Sequence, residues 1–298
     1  MKILNFGSCN LDYVYSLDHI VAPGETESSL KMEIFPGGKG LNQSIAAARA
    51  GVEVYHAGCV GEDGKLLLEI LEQSGVNTRY LQNVSTKNGH AIIQVTKDGE
   101  NSIVLYAGSN AMITEDLIDK VLADFSAGDI LLLQNEINMV PKIAEKAHKK
   151  GMYTVLNPSP FNDKIGEIDL NNISCLILNE VEAKGFAGEE ETEIILHFFR
   201  EKYPKLKIML TLGKNGCVYC DGEQTILHPA FSVKAVDTTA AGDTFTGYFA
   251  AGLANKMPME RILKTASAAS AISVTRNGAA PSVPVMAEVL EFLNTEQF

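Results

Sequence analysis

Short apolar runs alternate with amphipathic segments through the second half of the chain. From residue 114 onward, a helix with Thr114 as its candidate cap precedes the apolar run DILLLQNE, and a second helix, to Lys150, precedes YTVLNPSP. The run SCLILNEVEAKGF comes next and turns into a helix, and KIMLTLGKNG is the following strand. Alternating strands and helices predict a mostly parallel sheet covered by helices on both faces. The pattern therefore indicates an α/β fold with three layers (αβα), doubly wound.

A second set of apolar positions has the two-residue period of strands. Residues 13–35 alternate loosely around Pro23 and Gly24, and the segments HAIIQVTKDGE and NSIVLYAGSN flank a KDGEN turn. The latter pair is typical of a β-hairpin. We expect strands from about 13–35 and 88–107 to form a small sheet over a cleft, as a lid or partner surface. A single domain spanning 1–298 is the expected organisation.

Polar side chains come at the ends of several predicted strands. Asn10 and Asp12 follow the first strand, and residues two apart on extended backbone share a face. Turn chemistry and hydroxyl binding both explain this pair, and the pattern leaves the two open. The other strand-end residues are Gln134, Glu136, Asn157, Asn179, Glu182, Thr211 and Gly213. The series predicts a polar, concave sheet edge of the kind that binds ligands.

The stretch VDTTAAGDTFTGYFAAGLA, residues 236–254, has the composition of a tight turn that opens a helix. Ala240, Ala241 and Gly242 precede Asp243, and an apolar run follows. Backbone amides at a helix start are unpaired and attract anions. A carboxylate at this place is well sited to take a proton from a nucleophile while the amides hold a transferring phosphate.

The segment FPGGKGLNQSIAAARAG predicts a glycine turn around Lys39 and a helix that begins at Asn42 and Gln43 and ends at Gly51. It is not a Walker A loop, which has four residues between its first glycine and GK, and the chain has no such match. The turn by itself is explained equally by an exposed lysine at a helix start.

Charge and cysteine usage narrow the class of protein. The net charge is −12 and no basic run occurs, which disfavours nucleic acid and anionic membranes as partners. The five scattered cysteines indicate reduced thiols. Cys217 and Cys220 form a CxxC on a predicted strand, where residues three apart face opposite ways, so we expect no shared metal. Neither a membrane span nor a signal peptide is predicted, so we expect a cytoplasmic protein.

The motifs GSCNLD, GGKGLNQ, VDTTAAGDTF and RNGAAPSVP, in this order, resemble the ribokinase family of ATP-dependent sugar kinases, also called the PfkB carbohydrate kinases. The resemblance covers essentially the whole chain. It implies a ribokinase-like fold with a small β-sheet lid. It also implies a general base at Asp243 and an anion hole at Ala240, Ala241 and Gly242.

The resemblance also assigns ligand-binding roles by position. The sugar-binding residues it implies are Asn10, Asp12, Gly38, Lys39, Asn42, Glu136 and Asp243. For ATP and Mg²⁺ it implies Asn179, Glu182, Thr211, Gly213, Gly216 and Gly242. For a monovalent cation such as K⁺ it implies Asp237, Thr239, Ser273, Gly278 and Ser282.

The activity that the resemblance implies is transfer of the γ-phosphoryl group of ATP to a sugar hydroxyl, with D-ribose as the expected acceptor and D-ribose 5-phosphate as product. Two alternatives stay open: a kinase of the same family that acts on fructose, another sugar or an adenosine-like nucleoside, and a non-catalytic sugar-binding protein. An NAD-dependent enzyme is disfavoured because no GxGxxG follows the first strand. A homodimer through the lid strands is expected.

Overall fold

The computed structural model describes residues 1–295. Numbered along the chain, the strands are β1 (Ile3–Phe6), β2 (Asn10–Leu17), β3 (Lys31–Gly37), β4 (Val54–Val60), β5 (Asn77–Asn83), β6 (Gly89–Thr96), β7 (Asn101–Tyr106), β8 (Ile130–Gln134), β9 (Tyr153–Asn157), β10 (Cys175–Asn179), β11 (Lys207–Thr211), β12 (Cys217–Cys220) and β13 (Thr225–His228). The helices are α1 (Lys39–Arg49), α2 (Lys65–Gln73), α3 (Glu115–Leu122), α4 (Val140–Lys149), α5 (Glu180–Ala187), α6 (Thr192–Lys202), α7 (Ala241–Ala254), α8 (Met259–Ser273) and α9 (Met286–Thr295).

Nine strands form the large sheet, in the order β13-β12-β11-β10-β9-β8-β1-β4-β5. At one edge β11 pairs antiparallel with β12 and β12 antiparallel with β13, whereas the other pairs are parallel. The chain runs outward from β1 to β5 on one side and from β8 to β11 on the other. This reversal places a switch point between β1 and β8, and doubly wound sheets bind ligands outside the carboxyl ends of the strands at such a point.

Helices cover both faces of the large sheet, which confirms the predicted fold class. One core cluster is built on α1, α2, α7, α8 and α9, and the second is built on α3 to α6. The CxxC shows the two faces directly, because Cys217 belongs to the first cluster and Cys220 to the second. The expectation that these thiols share no metal therefore has a geometric basis.

The second sheet has four strands in the order β3-β2-β6-β7. β2 pairs antiparallel with β3 and parallel with β6, and β6 and β7 form an antiparallel hairpin. β2 starts only a few residues after β1 ends, so the small sheet begins directly at the switch point of the large one. Its first residue, Asn10, is thereby placed at the ligand-binding edge.

The predicted start of α1 is wrong, because the helix begins at Lys39 rather than at Asn42. Gly38 has a φ of 92° and turns the chain into the helix. Neighbouring segments then satisfy the first-turn amides: the amide of Gly40 donates to Ser8 Oγ at 3.1 Å and that of Leu41 to the Ser8 carbonyl at 2.9 Å. Such acceptors, supplied from another part of the chain, are invisible in the local sequence.

Other element predictions had mixed outcomes. Thr114 caps α3 as predicted, since its Oγ1 accepts from the amide of Leu117 at 3.3 Å. The edge strands β5 and β13 were not predicted, because β5 consists mostly of polar residues and β13 has only four residues. Within residues 1–295, no helix combines the length and the apolar character that crossing a membrane requires.

Candidate active site

A cavity of about 720 Å³ opens beyond the carboxyl ends of β9, β10 and β11. The starts of α5 and α7 close two of its sides, and α8 contributes Ser267 and Ser270. Of the predicted residues, those that line it are Lys39, Asn179, Glu182, Thr211, Gly213, Gly216, Ala240, Ala241, Gly242 and Asp243. The structure thus brings residues as far apart in sequence as Lys39 and Asp243, more than 200 positions, to one cleft. This cleft lies at the sheet edge where ligands are expected.

Asp243 lies in the first turn of α7, at the wall of this cavity. The turn before it depends on Ala240, whose φ of 59° is left-handed. Within residues 1–295 the amides of Gly242 and Asp243 have no acceptor, whereas that of Ala241 reaches the Thr238 carbonyl at 3.3 Å. Two unpaired amides and the positive end of the helix dipole therefore face the cavity beside a buried carboxylate.

Side-chain amides from α1 hold the carboxylate of Asp243. Asn42 Nδ2 donates to Oδ2 at 3.1 Å, and Gln43 Nε2 donates to Oδ1 at 2.9 Å. Asn42 Oδ1 is buried and has no partner within residues 1–295. A buried acceptor without a protein partner is suited to accept a hydrogen bond from a ligand hydroxyl.

Glu136 lies just after β8 and contacts Ser8, which lies just after β1 at the switch point. Its Oε2 accepts from Ser8 Oγ at 2.5 Å and from the amide of Lys39 at 2.9 Å. Burial raises the pKa of Glu136 above its usual value, although Lys39 and Ser8 act in the opposite direction. Burial alone would lower the pKa of Lys39, but the charges of Asp243 and Glu136 raise it, so the ammonium stays protonated.

Asp12 lies on β2, two residues beyond Asn10. Burial and then the charge of Glu136 raise the pKa of Asp12 to about 7. Gly37 on the neighbouring strand β3 lies diagonally across from Asp12, and a Cβ there would lie 2.0 Å from Asp12 Oδ2. A glycine is therefore required there for the carboxylate to occupy this place.

Asn10 is buried and oriented by Asn110, a residue that the sequence analysis missed. Asn110 Nδ2 donates to Asn10 Oδ1 at 2.7 Å, and Asn110 Oδ1 accepts from the Cys9 amide at 3.0 Å. Asn110 follows β7, the last strand of the small sheet, and it orients Asn10, the first residue of that sheet.

Asn179 and Glu182 form a capping box at the start of α5. Asn179 Oδ1 accepts from the Glu182 amide at 2.9 Å, and Glu182 Oε2 accepts from the Asn179 amide at 3.0 Å. Ser159 donates to the other carboxylate oxygen of Glu182, another contact the sequence analysis missed. Thr211 ends the adjacent strand β11, and Gly213 and Gly216 shape the turn after it with φ values of 52° and 95°.

The five residues predicted for a cation lie on two segments that meet behind the anion site. Asp237 Oδ1 accepts from the Thr239 amide at 2.9 Å, and Oδ2 accepts from the Gly278 amide at 2.8 Å. Burial alone would raise the pKa of Asp237, but these bonds lower it, so its charge is kept. Ser273 and Ser282 are buried, and each hydroxyl donates to a carbonyl three residues earlier, of Ser270 and Ala279 respectively.

The doubly wound sheet, the small sheet at its switch point and the carboxylate in the first turn of α7 define a ribokinase-like α/β fold with a cleft at its switch point. A family model described as pfkB family carbohydrate kinase matches residues 1–286. The chain belongs to this family, which confirms the resemblance seen in its motifs.

Individual relatives match over nearly the whole chain. A ribokinase from Haemophilus influenzae is 37% identical over 297 residues, covering 96% of this chain and 96% of the relative. A ribokinase from Bacillus subtilis is 36% identical over 298 residues, covering 98% and 99%. The structure of Arabidopsis thaliana ribokinase complexed with ribose and ATP superimposes with a TM-score of 0.88 at 30% identity, covering 98% of each chain.

Proposed function

We propose that the protein transfers the γ-phosphoryl group of ATP to D-ribose and releases D-ribose 5-phosphate and ADP. The position of Asp243 is the observation that carries the proposal. Its carboxylate lines the cavity and lies beside Lys39, which in turn contacts Glu136 on the sugar side. The Arabidopsis relative holds ribose and ATP together, which supports this pair of substrates.

Phosphoryl transfer requires positioning and charge stabilisation more than covalent help from the protein. The sugar hydroxyl is a poor nucleophile, and Asp243 accepts its proton as the bond to phosphorus forms. General-base help of this kind contributes about 10²–10⁴-fold to the rate. The free amides of Gly242 and Asp243, with the dipole of α7, stabilise the charge on the phosphoryl oxygens.

On the acceptor side, the hydrogen-bonding groups converge from three segments. Asn10 and Asp12 come from β2, Gly38, Lys39 and Asn42 from the start of α1, and Glu136 from the loop after β8. The orphaned Asn42 Oδ1 is an acceptor for a sugar hydroxyl. This dense set of carboxylates and amides suits a small polyol better than an apolar base, so ribose is favoured over a nucleoside.

On the donor side, Mg²⁺ fits the group formed by Asn179 and Glu182. Both oxygens of the Glu182 carboxylate already accept from protein donors, so the pair would hold the ion through its waters, a common arrangement for Mg²⁺. When bound, the ion neutralises charge on the donor phosphates. Thr211, Gly213 and Gly216 border the same cavity and would contact the nucleotide.

A monovalent cation such as K⁺ fits the oxygen-rich segments around Asp237. Thr239, Ser273, Gly278 and Ser282 would complete its ligands with hydroxyl and carbonyl oxygens, which hard cations prefer. The carboxylate of Asp237 accepts from the amides of Thr239 and Gly278, so it ties together the loops on either side of the anion site.

The small sheet fits the roles of lid and dimer surface. On β2 and its neighbours, the register puts Asp12, Phe35, Ala91 and Leu105 on one face, which we assign to the sugar. The opposite face carries exposed apolar side chains at Met32, Ile34, Ile92, Val104 and Tyr106. Exposed apolar patches of this extent mark interaction surfaces, and we propose a second copy of this chain as the occupant. The five free cysteines favour a cytoplasmic location.

A panel of acceptors with coupled detection of ADP tests the proposal. Ribose, 2-deoxyribose, fructose and adenosine are compared at equal concentration, with and without potassium. We expect ribose to be preferred and its turnover to rise with potassium. Preference for adenosine would contradict the substrate, and sugar binding without any ADP formation would identify a non-catalytic sugar-binding protein.

A further inference from the structure

Gln43 is a buried side chain that contacts the base and that no part of the sugar or nucleotide assignment uses. Its Nε2 donates to Asp243 Oδ1 at 2.9 Å and lies 3.5 Å from Asn157 Oδ1. Its Oε1 accepts from Gln134 Nε2 at 2.7 Å. Gln43 and Gln134 are buried almost completely, so these partners are not exchanged for bulk water.

The direction of the chain of amides is fixed at both ends. Asn5 Nδ2 donates to the carbonyl of Gly40 at 2.7 Å, and a carbonyl only accepts. Asn5 Oδ1 must therefore be the acceptor for Gln134 Nε2, at 3.0 Å. The same Nε2 donates to Gln43 Oε1, which leaves the Gln43 amide nitrogen facing a carboxylate that only accepts. Turning any of these side-chain amides by 180° would place two hydrogen-bond donors, or two acceptors, against each other.

Asn42 contacts the other oxygen of Asp243 but is held differently. Its Nδ2 donates to Oδ2 at 3.1 Å, while its own Oδ1 has no partner within residues 1–295. Only the nitrogen of the Asn42 side-chain amide is hydrogen-bonded, so this side chain can turn towards a ligand. Both the nitrogen and the oxygen of the Gln43 amide are hydrogen-bonded, so this side chain stays in place. The two oxygens of Asp243 are therefore not equivalent.

The charged groups that interact with Asp243 are Lys39 on α1 and Glu136 beyond β8. The residues of α8 at the cavity, Ser267, Ser270 and Ala271, carry no charge. Gln43 is neutral, and its N–H donates to one oxygen of the carboxylate. Removing that donor leaves Asp243 with one of its two side-chain hydrogen bonds.

We infer that Gln43, locked by Gln134 and Asn5, is a positioning residue that keeps Oδ1 of Asp243 engaged and leaves Oδ2 as the atom that takes the proton. The inference rests on the proposed kinase function. In the step, the sugar O–H bond breaks and its proton joins Oδ2. The sugar oxygen bonds to the γ-phosphorus, and the bond from phosphorus to the β–γ bridging oxygen breaks with its electrons going to ADP.

The variants Gln43→Met and Gln134→Met test this assignment, because methionine keeps the length of the side chain and removes the amide. For Gln43→Met we expect kcat for ribose to fall about 10- to 100-fold, as loss of one bond to a charged group implies. KM for ribose stays within about threefold, because Gln43 contacts the carboxylate of Asp243 rather than the sugar. Gln134→Met lowers kcat by less and also leaves KM for ribose within about threefold.

The double variant Gln43→Met/Gln134→Met is expected to match Gln43→Met alone, since both changes act through one hydrogen bond. Gln73→Met, on an exposed glutamine of α2, is the matched control and leaves kcat unchanged. If Gln43→Met does not fold, kcat and KM of Gln134→Met decide. A wild-type kcat in the folded variants, or a rise in KM as large as the fall in kcat, overturns the inference while the kinase proposal stands. A wild-type protein without ribose-dependent ADP formation overturns both.

Discussion

Gly247 of α7 packs directly against Ala46 of α1. A Cβ on Gly247 would lie 2.4 Å from the Ala46 Cβ and 2.7 Å from the carbonyl oxygen of Gln43. Gly247 lies one turn after Asp243, so the close approach of the two helices is what brings the amides of α1 within reach of the carboxylate. A small residue in the core thereby determines the geometry of the site.

Gly247→Ala is expected to damage both stability and activity, because the added methyl group forces α1 and α7 apart. Overpacking of this kind costs about 1–3 kcal/mol, which lowers Tm by several degrees in a chain of this size. Since Asp243 moves away from Asn42 and Gln43, kcat falls more than KM rises. Thermal unfolding and ribose kinetics measure the two effects. The control is Gly166→Ala, where nothing lies within 4 Å of an added Cβ; equal behaviour of the two variants would contradict the packing argument.

The sequence predicted the parts of the site that depend on local chemistry. Asp243 was recognisable because small residues and a carboxylate precede an apolar helix, a pattern that defines a helix start without further context. The strand-end residues Asn179 and Thr211 were found through the alternation of strands and helices. The α/β class followed from the same alternation.

What the sequence did not predict depends on contacts between distant segments. Gln43 stands in an alanine-rich helix, and its partners Gln134 and Asp243 are 91 and 200 positions away. Asn110 and Ser159 act through equally remote partners. A buried polar residue in an apolar helix was the available signal for Gln43, but its target required the packing of α1 on α7. The true start of α1 at Lys39 was missed for the same reason.

Ribose affinity is expected to depend on pH through Asp12. Burial and the charge of Glu136 raise the pKa of Asp12 to about 7, so the carboxyl group is mostly neutral at pH 6 and mostly ionised at pH 8. The ionised form accepts hydrogen bonds from sugar hydroxyls more strongly. The Kd for ribose should therefore fall several-fold, by about tenfold at most, between these two pH values. Calorimetric titration measures it, and Asp12→Asn should weaken binding and flatten the profile. A profile as steep in the variant as in the wild type would rule out this role.

The outer face of the small sheet is expected to hold two copies of the chain together. Val104 is 63% exposed and lies on this face, so Val104→Asp places a charge in the proposed interface. Sedimentation should show a dimer for the wild type and a monomer for the variant at the same concentration. Leu227→Asp, on the edge strand β13 and 73% exposed, serves as the control and should stay dimeric. A monomeric wild type would contradict the proposed interface.

Potassium activation is expected to require Asp237. Asp237→Ala removes the charge and both bonds to the amides of Thr239 and Gly278. The ratio of kcat with potassium to kcat with a bulky organic cation should fall to about one. Asp237→Asn keeps one acceptor oxygen and should retain part of the response. Activation that survives in Asp237→Ala would show that the cation binds elsewhere.

Turnover of Asp243→Asn, measured together with ribose binding, tests the account most directly. Asparagine keeps the shape of the side chain and removes the proton acceptor, so kcat should fall about 10²–10⁴-fold. Unfolding temperature and ribose Kd should stay close to the wild-type values. Asp116→Asn, on an exposed carboxylate of α3, is the matched control. A well-folded Asp243→Asn protein with wild-type kcat would contradict the assignment of Asp243 as the base.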